Sequence, residues 1–228
     1  MNTLKIHGGC VKASPVFSAD IQELSARYSD NKQRFDESII AGCVRCSNGH
    51  IQVLVCRPFS HKLRPFPTTF WLTCPYLVRR AGMIESQGGV RELEDYMTSR
   101  GLIHEWRRYN YMHQVIRLRL MDKNLCRYTR KYHGKVFRSV MRSGIGGMKY
   151  GERICVKCLH LQTSSFLAIG CHPASEWLRE KNLCGECQEG MCCKKLLCES
   201  ITREQDNYFI KSARVTPSKK SFITLLRF

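Results

Sequence analysis

The chain has 228 residues, 43% hydrophobic and 25% charged, a composition that excludes a disordered or collagen-like protein. Lys and Arg number 37 against 19 Asp and Glu, a formal net charge of +18, which favours acidic partners such as RNA or another polyanion. No apolar run reaches the roughly 20 residues that span a bilayer, and Met1 to Gly9 lacks the apolar stretch of a secretory signal. A cytoplasmic protein is therefore expected, in which the 14 cysteines are thiols or metal ligands rather than disulfides.

Taken in chain order, Ser18 is placed to cap a first helix through Tyr28, with Ile21 and Leu24 on one face and Asp20 and Glu23 near its positive end. Ile51 to Cys56 (IQVLVC) and Thr68 to Thr73 (TTFWLT) are β-branched and aromatic runs that predict two antiparallel strands. Pro75 sits at a first-turn position for a helix through Gln87, the Gly88-Gly89 pair ends it, and Val90 to Ser99 begins another. Trp106, Tyr109, His113, Ile116 and Leu120 recur at spacings of three and four, one face of a long helix whose other faces are basic. Gly144 to Met148 (GIGGM) predicts a turn, Ile154 to Ile169 a buried helix, and Pro173 the start of a short helix through Trp177 and Leu178. The sum is an α+β protein, mainly helical with a small antiparallel sheet. Three parts are expected: an N-terminal segment over 1–18, a main domain over 19–183, and a Cys-rich and basic C-terminal extension over 184–228.

Arg64 to Pro75 (RPFPTTFWLTCP), followed by Leu77-Val78, then GIGGM and Val156 to His160 (VKCLH), resembles the bacterial family catalogued as domain of unknown function 501. Arg45-Cys46 with Gly49, Gly89 to Leu93 (GVREL) and Gly170 to Leu178 fall in the order that family has them, so the resemblance covers roughly 19–178. The family carries no assigned activity. Many members resemble Cys-Pro-Cys-Gly around the first cysteine, whereas here Cys46 is followed by Ser47, Asn48 and Gly49, and the spare cysteine lies upstream at Cys43. Members usually show Asn-Pro where this chain has His172-Pro173, and the stretch from Cys184 onward is an extension of a subset.

Two Cys-x-x-Cys pairs, Cys43 with Cys46 and Cys155 with Cys158, together with Cys74 and His160, form the leading candidate site. Such pairs supply the thiolates that suit zinc or an iron–sulfur cluster. Cys46, Cys74 and Cys158 stand out because they fall in the family blocks. The plainer reading is that these are buried thiols, a common fate of free cysteine. A second cluster is local: four of Cys184, Cys187, Cys192, Cys193 and Cys198 suffice to close a zinc site, and their spacing does not match a ferredoxin run.

Residues 105–142 carry eleven basic side chains against Glu105 and Asp122, a net +9 that is half of the whole excess. Arg107, Arg108, Arg117, Arg119, Arg127, Arg130, Lys131 and Arg138, interleaved with tyrosines, are candidates for contact with single-stranded or structured RNA. The alternatives are a solvated amphipathic face or, less suited, an anionic membrane surface. No Walker loop, nucleophile elbow or His-Glu-x-x-His is present, and GIGGM has the wrong glycine spacing for a dinucleotide fingerprint. Arg64, Trp71, Thr73 and Arg79 are the candidate lining of a pocket around the TCP turn. The leading expectation is an accessory metal-binding protein; an RNA-binding module and an enzyme of unassigned reaction are its rivals.

Overall fold

The apolar run IQVLVC is buried at every position, which requires a strand covered on both faces. In the computed structural model, which describes residues 2–6, 9–27, 38–60 and 63–187, it is the central strand of a three-stranded antiparallel sheet. β1 (Asn2–Ile6) and β2 (Gly9–Ala13) form a separate hairpin, α1 spans Ser18–Arg27, and the sheet follows as β3 (Ile39–Arg45), β4 (Ile51–Cys56) and β5 (Phe70–Leu72). Val53 and Val55 lie opposite Leu72 and Phe70 on β5 and join the main core. Ile51, Leu54 and Cys56 turn the other way to meet Leu24 of α1.

The pairing of β4 and β5 is the one expected from their sequences. β3 and the β1–β2 hairpin were not legible: β3 (IIAGCVR) mixes a glycine and a charge into its pattern, and its register against β4 shifts at three points. Ile21, expected beside Leu24 on the packed face of α1, is 38% exposed. At the start of α1 the Asp20 carboxylate accepts the Phe17 N–H at 2.8 Å.

The helices follow as α2 (Pro75–Ser86), α3 (Gly89–Ser99), α4 (Ile103–Arg119), α5 (Lys123–Tyr132), α6 (Gly134–Arg142), a 3₁₀ turn over Ile145–Gly147, α7 (Leu159–Ile169) and α8 (Ser175–Glu180). Trp106, Tyr109, His113 and Ile116 on α4 are buried as their spacing predicts. GIGGM is a turn packed tightly enough to demand glycine. Gly146 and Gly147 have φ of +59° and +86°, and a Cβ on Gly146 would stand 2.2 Å from Leu161 Cδ1.

The expected helix over 154–169 starts five residues late. Residues 154–158 run without helix, and Cys158 is extended at φ −164°, ψ 158°. The cause is a pair of carboxylates on neighbouring helices that take the N–H groups of this segment: Glu94 Oε1 accepts from Val156 at 2.7 Å, and Glu85 Oε1 accepts from Leu159. α7 then packs on the sheet and α2, and its buried face joins α2, α3, α4 and α8 in the main core. None of the described helices is long and apolar enough to cross a membrane.

Candidate metal centre

Glu85 sits in the last turn of α2, and the segment bound by Glu94 delivers Cys158 and the first turn of α7 to it. The carboxylate of Glu85 does two things at once. It accepts the Leu159 N–H at the positive end of α7, and its Oε1 lies 3.0 Å from His160 Nδ1. The other ring nitrogen, Nε2, lies 3.1 Å from the Val78 carbonyl oxygen on α2. A carbonyl only accepts, so Nε2 carries a hydrogen and Nδ1 is the atom turned toward Glu85. Because Cys158 is outside the helix, its side chain folds back beside His160, although two residues apart within a helix would not meet. Ligand atoms of Glu85, Cys158 and His160 all lie within 4.8 Å of one another.

The site is half-buried, with His160 32% and Glu85 24% exposed at the side chain. Hydrogen bonding to Cys158, reinforced by the charge and hydrogen bond of Glu85 and opposed by burial, holds the His160 imidazole up to about 9. A sulfur, a nitrogen and a carboxylate oxygen are a mixed donor set that fits zinc with one coordination position left over. An iron–sulfur cluster, built on thiolates, finds one cysteine here rather than four. The Val78 carbonyl on Nε2 is the kind of outer partner that fixes a ligating histidine's tautomer.

A second polar cluster lies deeper, where α7 meets α4. Tyr109 donates to Ser165 Oγ at 2.6 Å, and Ser165 Oγ lies 2.6 Å from His113 Nε2. Ala174 N–H donates to His172 Nδ1 at 2.9 Å, which leaves Nε2–H to donate to Gln162 Oε1, also at 2.9 Å. All of these side chains are buried. Burial pushes both histidines down to about 3, with the Arg117 and His172 charges adding to the effect at His113. These are buried rings that tie α4 and the segment after α7 to the buried face of α7.

The family model described as protein of unknown function, DUF501, matches residues 43–180. The chain belongs to the DUF501 family. No curated protein and no solved structure matches it. The DUF501 match begins at Cys43, not near residue 19, and runs from β3 to the end of α8, so Glu85, Cys158 and His160 all fall inside it.

Of the cysteines singled out in this DUF501 chain, only Cys158 joins a three-donor group within 4.8 Å among the described residues. Cys74 is buried at the start of α2, where Pro75 follows it. Cys43 is half-buried, its sulfur 4.0 Å from the Ala168 carbonyl oxygen, and burial pushes its thiol up to about 12. Cys155, three residues before Cys158, is exposed. Cys46 opens the β3–β4 turn, and that turn meets the Cys184–Cys187 turn instead of Cys158: the Ser47 N–H donates to the Glu186 carboxylate at 3.0 Å. Cys184 and Cys187 are half-buried and lie beyond the family match, while Cys193 and Cys198 lie outside the described residues. Glu85 escaped the sequence reading because it belongs to no motif and is some seventy residues from its partners; the one usable signal was His160 two places after Cys158.

The basic residues divide. Arg117, expected on the nucleic-acid face, is 1% exposed and donates to the carbonyls of Val140, Ser143 and Gly144 at the C-terminal end of α6, where the helix dipole favours a cation. Arg107 is half-buried and donates to the Gly151 carbonyl at 2.6 Å. Arg108, Arg119, Arg127, Arg130, Lys131 and Arg138 are exposed.

Proposed function

We propose that this DUF501 protein is a metal-binding protein that holds one zinc ion through Glu85 Oε, Cys158 Sγ and His160 Nδ1. The observation that carries the reading is the convergence of these three donor types within 4.8 Å, with the far side of His160 held by the Val78 carbonyl. Bound there, the ion would tie α2 to the start of α7. Three protein ligands leave one exchangeable position, and zinc in such a setting supplies a Lewis acid to a bound water or ligand. The chain's own part is to hold the three donors: Glu94 fixes the segment that carries Cys158, and Val78 fixes the ring of His160.

The test is a cobalt titration of the full chain, followed by its sulfur-to-metal charge-transfer absorption. One equivalent should give a single-thiolate band that Cys158→Ser abolishes. His160→Gln should weaken binding by roughly a hundredfold or more, since even outer partners of a metal site are worth 10- to 100-fold. An undiminished spectrum in Cys158→Ser, with the variant folded by circular dichroism, would assign the metal to other thiols and remove this reading.

A further inference from the structure

On the side of the molecule formed by α5, the chain presents a groove of about 740 Å³ that the metal centre does not use. Its lining includes Lys123, Cys126, Arg127, Arg130 and Lys131, positions i, i+3, i+4, i+7 and i+8 of one helix and therefore a single stripe. Leu118 and Met121, before the start of α5, complete it. Asp122, the one acidic residue between Arg107 and Arg142, is committed to capping α5, where it accepts the N–H groups of Asn124 and Leu125 at 2.9 and 3.0 Å. Among the described residues no carboxylate pairs with Arg127, Arg130 or Lys131. Arg127, Arg130 and Lys131, three exposed cations on one side of α5, raise the local concentration of anions.

The neighbouring stripe of the same helix is aromatic. Tyr128 and Tyr132 are 48% and 59% exposed, with ring centroids 4.8 Å apart. Lys131 Nζ stands 4.9 Å from the Tyr132 ring centre. Tyrosines left this exposed beside a cationic stripe offer ring surface on which unpaired bases stack. A duplex, whose bases are already stacked, has no use for them. An anionic membrane would want an apolar face along α5, which carries instead two tyrosines and a row of charge.

We propose that α5 is a binding site for single-stranded nucleic acid, with phosphates along Arg127, Arg130 and Lys131 and bases against Tyr128 and Tyr132. This site is independent of the zinc reading, and either can fail without the other.

The experiment is fluorescence anisotropy with a labelled uridine-rich 20-nucleotide strand, its duplex with the complement, and vesicles containing anionic lipid. The single strand should bind most tightly. Log affinity should fall against log salt with a slope of about −2 to −3, the value for three or four phosphate contacts on a single strand. Arg127→Glu with Arg130→Glu should weaken binding at least tenfold and flatten that slope, whereas Arg91→Glu on α3, exposed and of equal charge change per site, should do little. Tyr128→Ala with Tyr132→Ala should cost roughly tenfold with the slope unchanged, which is the signature of lost stacking. Absence of binding at 50 mM salt would overturn the proposal. So would equal affinity for duplex or vesicles with the tyrosine variant behaving as wild type, which would reduce the groove to a generic polyanion surface.

Discussion

Three histidines lie on or against α7, and they have opposite fates. His160 stands in the first turn, a third exposed, beside a carboxylate and a thiol, and is held up to about 9. His113 and His172 sit in the core among hydroxyl, amide and aromatic groups and are pushed down to about 3. The difference teaches what makes an imidazole available: not its presence in a cluster, since all three have close polar partners, but a charged partner together with access to solvent. The arginines repeat the lesson. Arg117 is buried and spent on carbonyl groups, while Arg127 and Arg130, ten and thirteen residues later, line an open groove.

The contrast between core and accessible histidines is broken most severely by acid. His113 and His172 stay neutral in the folded protein well below the pH at which they charge in the unfolded chain. Between pH 6.5 and 3 the unfolded state binds more protons, so the stability they lend is present above pH 6.5 and is lost as the pH falls. The slope is about 1.4 kcal/mol per pH unit for each ring. Urea midpoints at pH 7, 5 and 4 should fall accordingly, and His172→Gln should reduce the slope by about one ring's share; a flat profile would mean that these rings are not buried neutral.

Arg117→Met comes next, at about 3 kcal/mol by urea unfolding, because it leaves the Val140, Ser143 and Gly144 carbonyls without their donor. Arg127→Met, on the exposed stripe, should stay within about 0.5 kcal/mol. The accessible cluster responds differently. Added zinc at a hundredfold over its dissociation constant should stabilise the protein by about 2.7 kcal/mol, and Cys158→Ser should lose that gain while changing the stability of chelator-treated protein little. The smallest effect on metal is expected from Cys74→Ser. It should cost about 1 kcal/mol by placing a hydroxyl in the core, with zinc content unchanged.

Much of this fold was legible from local pattern. Proline at the first turn of α2, the glycine pair at the start of α3, the 3.6-residue period of α4 and the apolar runs of β4 and β5 each act over a few residues, and each element formed within a few residues of where its sequence puts it. What was not legible depends on distant partners. The start of α7 is set by Glu85 and Glu94 from two other helices, and β3 is drawn into the sheet despite a bulged, mixed sequence. The site shares this character. Cys158 and His160 stand out in the chain, but their third partner is reached only through the packing of α2 on α7. Among the described residues Cys43, Cys46 and Cys74 do not join Cys158 in a three-donor group, and the turn after Cys46 meets Glu186 through the Ser47 N–H.

The most direct measurement is elemental zinc on full-length protein purified without added metal, compared among wild type, Cys158→Ser and Cys46→Ser. A loss of one equivalent per chain in Cys158→Ser, with Cys46→Ser unaffected in that equivalent, is the predicted result. Equal zinc in wild type and Cys158→Ser, or no zinc in a well-folded wild type that also binds none when it is supplied, would contradict a metal centre at Glu85, Cys158 and His160.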